Sequence, residues 1–174
     1  MWDYATQSGI RSRKGVSRVN EGFFRDSFEE ISVGDTTETI GRTLTESDVV
    51  NYANVTGCWF PVHTDKEFAA STMFGDRIVQ GTFLVGLAEG LLFQNRETSI
   101  RANAGIGEIS FHQPVYIDDT VRYTAEIIEK TPRDDDHGIV TAAIRCQNQH
   151  GEIVVEFENQ YLVARAQQED PTHD

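Results

Sequence analysis

The sequence predicts an α+β domain in which one buried helix is covered by an antiparallel sheet. Two observations carry that prediction. From Gly81 onward the run TFLVGLAEGLLFQNRE is apolar nearly all round: Leu84, Leu87, Ala88 and Leu91 share one stripe, and Phe83, Val85, Leu92 and Phe93 widen it. Such a helix has no wet side and has to be buried. Downstream, residues 103–111, 120–130, 138–147 and 153–164 are rich in β-branched and aromatic residues and are separated by short turn-forming stretches. That is the pattern of an antiparallel meander rather than of a doubly wound sheet.

The chain has 174 residues, enough for one domain with a real core. No stretch approaches the roughly 18 consecutive apolar residues of a membrane span. The first residues lack the apolar segment and small-residue cleavage site of a signal peptide, so a cytoplasmic protein is expected. Cys58 and Cys146 lie far apart without CxxC or Cys/His spacing, which indicates neither a disulfide framework nor a metal site. Cys146 is expected as a buried strand residue. Residues 1–33 balance five acidic against five basic side chains, so the net charge of −13 falls on the remainder, and nucleic acid is not an expected partner. Of fifteen basic residues only Lys14, Lys66 and Lys130 are lysines, a composition that suits a surface solvated at high salt.

In chain order, residues 1–22 show no sustained period and read as an N-terminal arm carrying Arg11, Arg13, Lys14 and Arg18. Phe23, Phe24 and Phe28 then need somewhere to bury, and a turn at residues 33–36 leads into a β-prone run over 37–44. Thr45-Glu46-Ser47-Asp48 reads as a capping box, followed by Val49, Tyr52, Ala53 and Thr56 at helical spacing and by Gly57 as the stop. A turn, CWFPVH, separates this helix from a second box, Thr64-Asp65-Lys66-Glu67, that opens a short helix ending at Gly75. Within the apolar helix Gly86 and Gly90 each cost about 1 kcal/mol relative to Ala, which points to close approach of another backbone or a ligand. The last ten residues, RAQQEDPTHD, read as a disordered tail, leaving 23–164 as the domain.

These motifs together resemble the MaoC-like hydratases. Phe23 to Asp35 resembles that family's opening. His63, Phe68-Ala69, Phe74-Gly75 and Val79-Gln80-Gly81 resemble its hydratase signature, and Ser110-Phe111-His112-Gln113-Pro114-Val115 with Asp118-Asp119-Thr120 resembles its RF..PV..GDT element. The resemblance, which runs from about Phe23 to Val163, implies a hot-dog fold, an antiparallel sheet wrapped around a long central helix. It also implies hydration of a 2-enoyl-CoA thioester or the reverse dehydration of a 3-hydroxyacyl-CoA, with coenzyme A present only as part of the acyl-CoA substrate, and a homodimer or higher homo-oligomer. The region from Gly138 to Glu152 looks most like the branched or dicarboxylic enoyl-CoA hydratases.

The chemistry needs a base for water attacking C3 and a proton donor at C2, converging on one small volume, together with donors for the charge that gathers on the thioester oxygen. By the resemblance His63 is the acid/base group and the backbone NH of Gly81 an oxyanion donor. The family pattern G-D-x-N-P-[LIV]-H becomes Gly57-Cys58-Trp59-Phe60-Pro61-Val62-His63 here. Cys58 therefore stands at the catalytic Asp position and Phe60 at the Asn position, and a neutral thiol is a poor substitute for a carboxylate base. Trp59, Phe60, Val62, Gln80 and Thr82 are expected to bind substrate, and Arg42, Lys66, Arg77 and Arg101 are the candidates for the coenzyme A phosphates.

Plainer readings stand beside these. A lone histidine after Pro-Val is more often structural, Trp59 and Phe60 are more often core, Tyr52 packs, and His112 is expected to be structural. Asp65 and Glu67 suit the first turn of a helix, although Asp65, two residues past His63, is also a replacement carboxylate to test. Glu89 lies about 140° round the helix from Leu84. It is the only charge between Gly81 and Phe93 and the hook for a hydrolase reading, since hot-dog thioesterases often carry a carboxylate on this helix. Asp134 to Asp136 form a solvated hairpin loop. The functions to weigh are thus a hydratase, a catalytically silent acyl-CoA-binding or scaffold protein, and a Glu89-dependent acyl-CoA thioesterase.

Overall fold

Alternation along the long strands decides which face of the sheet is dry. In the computed structural model, which describes residues 17–19, 23–93 and 98–166, Val121, Tyr123, Ala125 and Ile127 are buried while Arg122, Glu126 and Ile128 face outward. Val140, Ala142, Ile144 and Cys146 continue the dry face on the next strand, and Val155, Phe157, Asn159, Tyr161 and Val163 on the one after. The strands are β1 (Ser17–Val19), β2 (Thr36–Glu38), β3 (Arg42–Thr43), β4 (Ile100–Phe111), β5 (Thr120–Pro132), β6 (His137–Gln147) and β7 (Ile153–Ala164). They lie in the order β1-β2-β5-β6-β7-β4, with β3 pairing beside β2 on β5. Every pairing is antiparallel except β1 with β2.

Among the described residues a 3-10 turn (Phe23–Arg25) and four α-helices lie upstream of β4: α1 (Glu46–Thr56), α2 (Pro61–Thr64), α3 (Lys66–Ala70) and α4 (Gly81–Leu92). As its sequence requires, α4 lies on the dry face with Leu84, Val85, Leu87, Ala88 and Leu92 buried, each large side chain contributing roughly 1.5–3 kcal/mol of transfer free energy. The Tyr123 hydroxyl donates to the Leu84 carbonyl at 2.7 Å across this contact. Phe24, Phe93 and Tyr161 close the far end of α4 with edge-on ring contacts at 4.8–5.4 Å. Phe24 and Phe28 are buried as expected; the side chain of Phe23 lies outside the described residues.

The capping box of α1 forms as read, with Asp48 N donating to the Thr45 hydroxyl and Thr45 N donating to Asp48, and Gly57 ends the helix at φ 75°. Several expectations are corrected. The second box is displaced: Thr64 belongs to α2, and Asp65 is the cap of α3, accepting from Phe68 N at 3.0 Å. α3 ends at Ala70, well before Gly75, which sits in a later turn at φ 73°. The run over 37–44 splits into β2 and β3, because the Thr39 hydroxyl replaces a backbone acceptor for Tyr123 N at 2.9 Å and the chain steps aside there. The four long strands are not a simple meander. β4 is exposed along nearly its whole length and pairs with β7 at the sheet edge, whereas β5, with a fully dry face, sits inside. Within the expected arm, Ser17–Val19 pairs with β2. At the other end Arg165 Nε and Ala166 N bond Glu29 at 2.7 and 2.8 Å, and residues 167–174 lie outside the described set.

One contact pins the segment before β2 to the sheet. Lys130 Nζ donates to the carbonyls of Phe28 and Ile31, both at 2.5 Å, and sits 4.4 Å over the Phe28 ring. Burial lowers the pKa of Lys130, against the pull of Glu29 and Asp35. The ring itself rests on Gly138, where an added Cβ would lie 2.3 Å from Phe28 Cδ2. Gly138→Ala is therefore expected to destabilise the fold by about 1–3 kcal/mol, read as a lower urea midpoint; an unchanged midpoint would show that the ring moves freely.

Candidate active site

The turn after α1 is short because Gly57 reverses the chain and Pro61, whose missing NH suits the first helical position, starts α2 at once. His63 falls in this single turn. Its Nδ1 lies 2.8 Å from the Ile78 carbonyl, and a carbonyl can only accept, so Nδ1 carries the proton and the lone pair of the neutral ring resides on Nε2. The Ile78 peptide is itself held, with its N donating to Val62 O and the next residue, Val79, donating to Val115 O at 2.7 Å. The imidazole is thereby fixed in orientation as well as in tautomer.

His63 lines a cavity of about 590 Å³, and so do Cys58, Gln80, Gly81 and Thr82. The walls are largely apolar, from Phe74, Val79, Leu84, Phe111 and Val115. Gly81 is the first residue of α4, so the unpaired NH groups of that helix's first turn and the positive end of its dipole lie at the cavity. The position requires glycine: an added Cβ would lie 2.6 Å from the ring of Phe111. Beside it the Tyr52 hydroxyl donates to Thr82 Oγ1 at 2.9 Å, and the Tyr52 ring packs on Phe83.

The cavity thus brings together five of the expected residues and leaves out three. Phe60 is the residue before α2, and its ring stands edge-on to His63 and Phe68, each at 6.3 Å. Trp59 and Phe60, half or more exposed, form a rim rather than a lining, and Val62 packs inward at 5 % exposure. Among the described residues no carboxylate lines the cavity. Asp65 is occupied as the α3 cap. Glu89 lies further along α4, where its Oε1 accepts from Asn103 Nδ2 at 2.5 Å and Asn159 Nδ2 at 3.3 Å. No three His, Cys, Asp or Glu side chains among the described residues gather to hold a metal ion. Cys146 is fully buried on β6 and plays no part, its thiol pushed up to about 12 by burial.

Sequence reading gave Phe111 and His112 no place in the site, yet the segment from Phe111 to Val115 forms one wall. The signal was the Pro114-Val115 element, whose backbone accepts from Val79 and so carries the end of β4 against the start of α4. His112 has its Nε2 engaged by Glu156 Oε1 at 2.9 Å, and Glu156 Oε2 is shared with Arg145.

Comparison with known proteins agrees with this geometry. The model of the MaoC like domain matches residues 29–158. The 3-hydroxybutyryl-CoA dehydratase of Methylorubrum extorquens is 32 % identical over 145 residues, 83 % of this chain and 88 % of that protein. The protein MaoC of Klebsiella aerogenes is 42 % identical over 108 residues, which are 62 % of this chain but 32 % of that much longer protein. The solved (R)-hydratase of Aeromonas caviae superposes with a TM-score of 0.65 at 29 % identity, over 76 % of this chain and 97 % of that one.

The tautomer assignment is open to direct measurement. In ¹⁵N-labelled protein the neutral form of the His63 ring is expected to show a protonated Nδ1 and an unprotonated Nε2; the reverse tautomer would remove Nε2 as the base.

Proposed function

The chain belongs to the MaoC-like domain family and has its hot-dog fold, and from that premise we propose that it hydrates a short 2-enoyl-CoA, or dehydrates the corresponding 3-hydroxyacyl-CoA. The observation that carries this reading is a histidine with Nε2 free, fixed at an apolar cavity that also meets the N-terminus of α4. His63 Nε2 takes a proton from the water attacking C3. Negative charge moves to the thioester oxygen, where first-turn NH groups of α4 receive it. The imidazolium then returns its proton to C2, so one group acts as base and acid in turn. The volume of the cavity suits a short acyl group and the adjoining thiol arm, with the nucleotide part of coenzyme A outside. Arg42 and Arg77 are engaged with Asp48 and Glu46, which leaves exposed Lys66, on the short helix after His63, and exposed Arg101, bonded to the Thr98 carbonyl, as the better phosphate contacts.

Purified protein is expected to hydrate one or more of a panel of C4 to C6 enoyl-CoAs, and His63→Ala to reduce kcat by about 10²–10⁴-fold. Turnover no greater than that of the variant would dismiss the enzyme reading. Cys58→Asp is expected to raise activity on straight-chain substrates; no gain in a folded variant would mean that Cys58 does not occupy the place of a lost base.

The absence of a carboxylate from the cavity favours a second reading, a silent acyl-CoA-binding protein, which calorimetric binding of butenoyl-CoA without turnover would select. A Glu89-dependent thioesterase has less support, because Glu89 lies outside the cavity and is held by two asparagines; release of free thiol from acyl-CoA would reinstate it. The partner we propose is a second copy of this chain, joined along β4. That edge is twelve residues long and carries exposed Ile106, Ile109 and Phe111, an arrangement that invites strand pairing. Light scattering is expected to give a dimer that Ile106→Lys dissociates; a monomeric parent protein would overturn the assignment.

A further inference from the structure

Gln80 is 1 % exposed, lines the same cavity as His63, and ends in an amide that is half used. Its Nε2 donates to the Val49 carbonyl at 3.1 Å, while its Oε1 has no hydrogen-bond partner. The amide cannot be turned over to relieve this, because Oε1 would then face the Val49 oxygen, which offers no proton. α1 therefore fixes the amide, and its carbonyl oxygen is left buried without a protein partner. Leaving such an acceptor buried and unpaired costs roughly 1–3 kcal/mol, whereas an apolar side chain of the same length would fill the space without that cost.

We propose, on the hydratase reading above, that Gln80 is the positioning residue for the nucleophilic water, its Oε1 accepting one water proton while His63 Nε2 accepts the other. Hydration needs a water with one proton directed at the base and its lone pair directed at C3. A single acceptor leaves that water free to rotate, and two acceptors fix it. Cys58 supplies a thiol where family members hold an Asp, so the second acceptor has to come from elsewhere in the cavity wall, and Gln80 Oε1 is the buried acceptor with capacity to spare. In the dehydration direction the same oxygen accepts a hydrogen bond from the 3-hydroxyl, while His63, protonated by the hydrogen taken from C2, gives that proton to the hydroxyl as it leaves as water. No charge is transferred to Gln80. It orients the water, and His63 carries the proton.

Two measurements test this. A high-resolution crystal structure of the unliganded protein is expected to show a water within hydrogen-bonding distance of both Gln80 Oε1 and His63 Nε2; its absence would overturn the assignment whether or not the protein turns over. In butenoyl-CoA hydration, Gln80→Met, which keeps length and volume but removes the acceptor, is expected to lower kcat by about 10–100-fold with KM changed less than two-fold and the melting temperature retained. Gln80→Glu, whose protonated carboxyl can still donate to the Val49 carbonyl while keeping an acceptor oxygen, is expected to recover most of that loss. Parental kcat in Gln80→Met, or equal losses in both variants, would dismiss the role. A bridging water in a parent protein that hydrates no enoyl-CoA would uphold the water site and reject the hydratase reading instead.

Discussion

The rest of the molecule is arranged around the burial of α4. A twelve-residue helix with apolar side chains on almost every side cannot be stabilised by one sheet face alone, so it draws cover from several directions. The sheet supplies the dry residues of β5, β6 and β7, the segment before β2 supplies Phe24, and α1 covers the start through Tyr52. Once the body of α4 is covered in this way, its first turn and the outer side at Gly86 and Gly90 are what reach open space. The helix N-terminus, with its unpaired NH groups and positive dipole end, is therefore delivered to the cavity as a by-product of packing.

The chemistry of the cavity follows from which polar groups can be left there. A buried ionised carboxylate would need partners, and three acidic side chains around the helices of the site are used elsewhere: Asp65 caps α3, Asp48 completes the cap of α1, and Glu89 faces Asn103 and Asn159. What remains at the cavity is a histidine with one nitrogen committed to a backbone carbonyl, a second histidine paired with Glu156, an amide with one end committed, the exposed amide of Gln113, a thiol and a hydroxyl.

Much of this was legible in the chain. The one-sided alternation of β5 to β7, the apolar stripe of α4, the Thr45 box and the Gly57 stop each express a local rule, and the structure follows them. His63, Gly81 and Gln80 were found through the ordered motif rather than through periodicity. What could not be read depended on distant partners. Trp59 and Phe60 look like core by composition, but α2 begins immediately after them and turns both outward. The step between β2 and β3 comes from the Thr39 hydroxyl meeting Tyr123, 84 residues away. The placement of β4 beside β7 depends on the path of residues 112–119 past α4, and that path also makes Phe111 a wall of the cavity.

The hydrogen bond from Tyr123 to the Leu84 carbonyl has a consequence for the site although it lies outside it. Contact between an apolar helix and an apolar sheet is slippery along the helix axis, since sliding by a fraction of a turn exchanges one van der Waals contact for another of similar strength. A directional bond has no such degeneracy. By fastening one carbonyl in the first turn of α4 to one strand residue, Tyr123 sets the axial position of Gly81 relative to the histidine. The place where the start of α4 meets the cavity is thus set from the middle of the core, by a hydroxyl that lies outside the cavity.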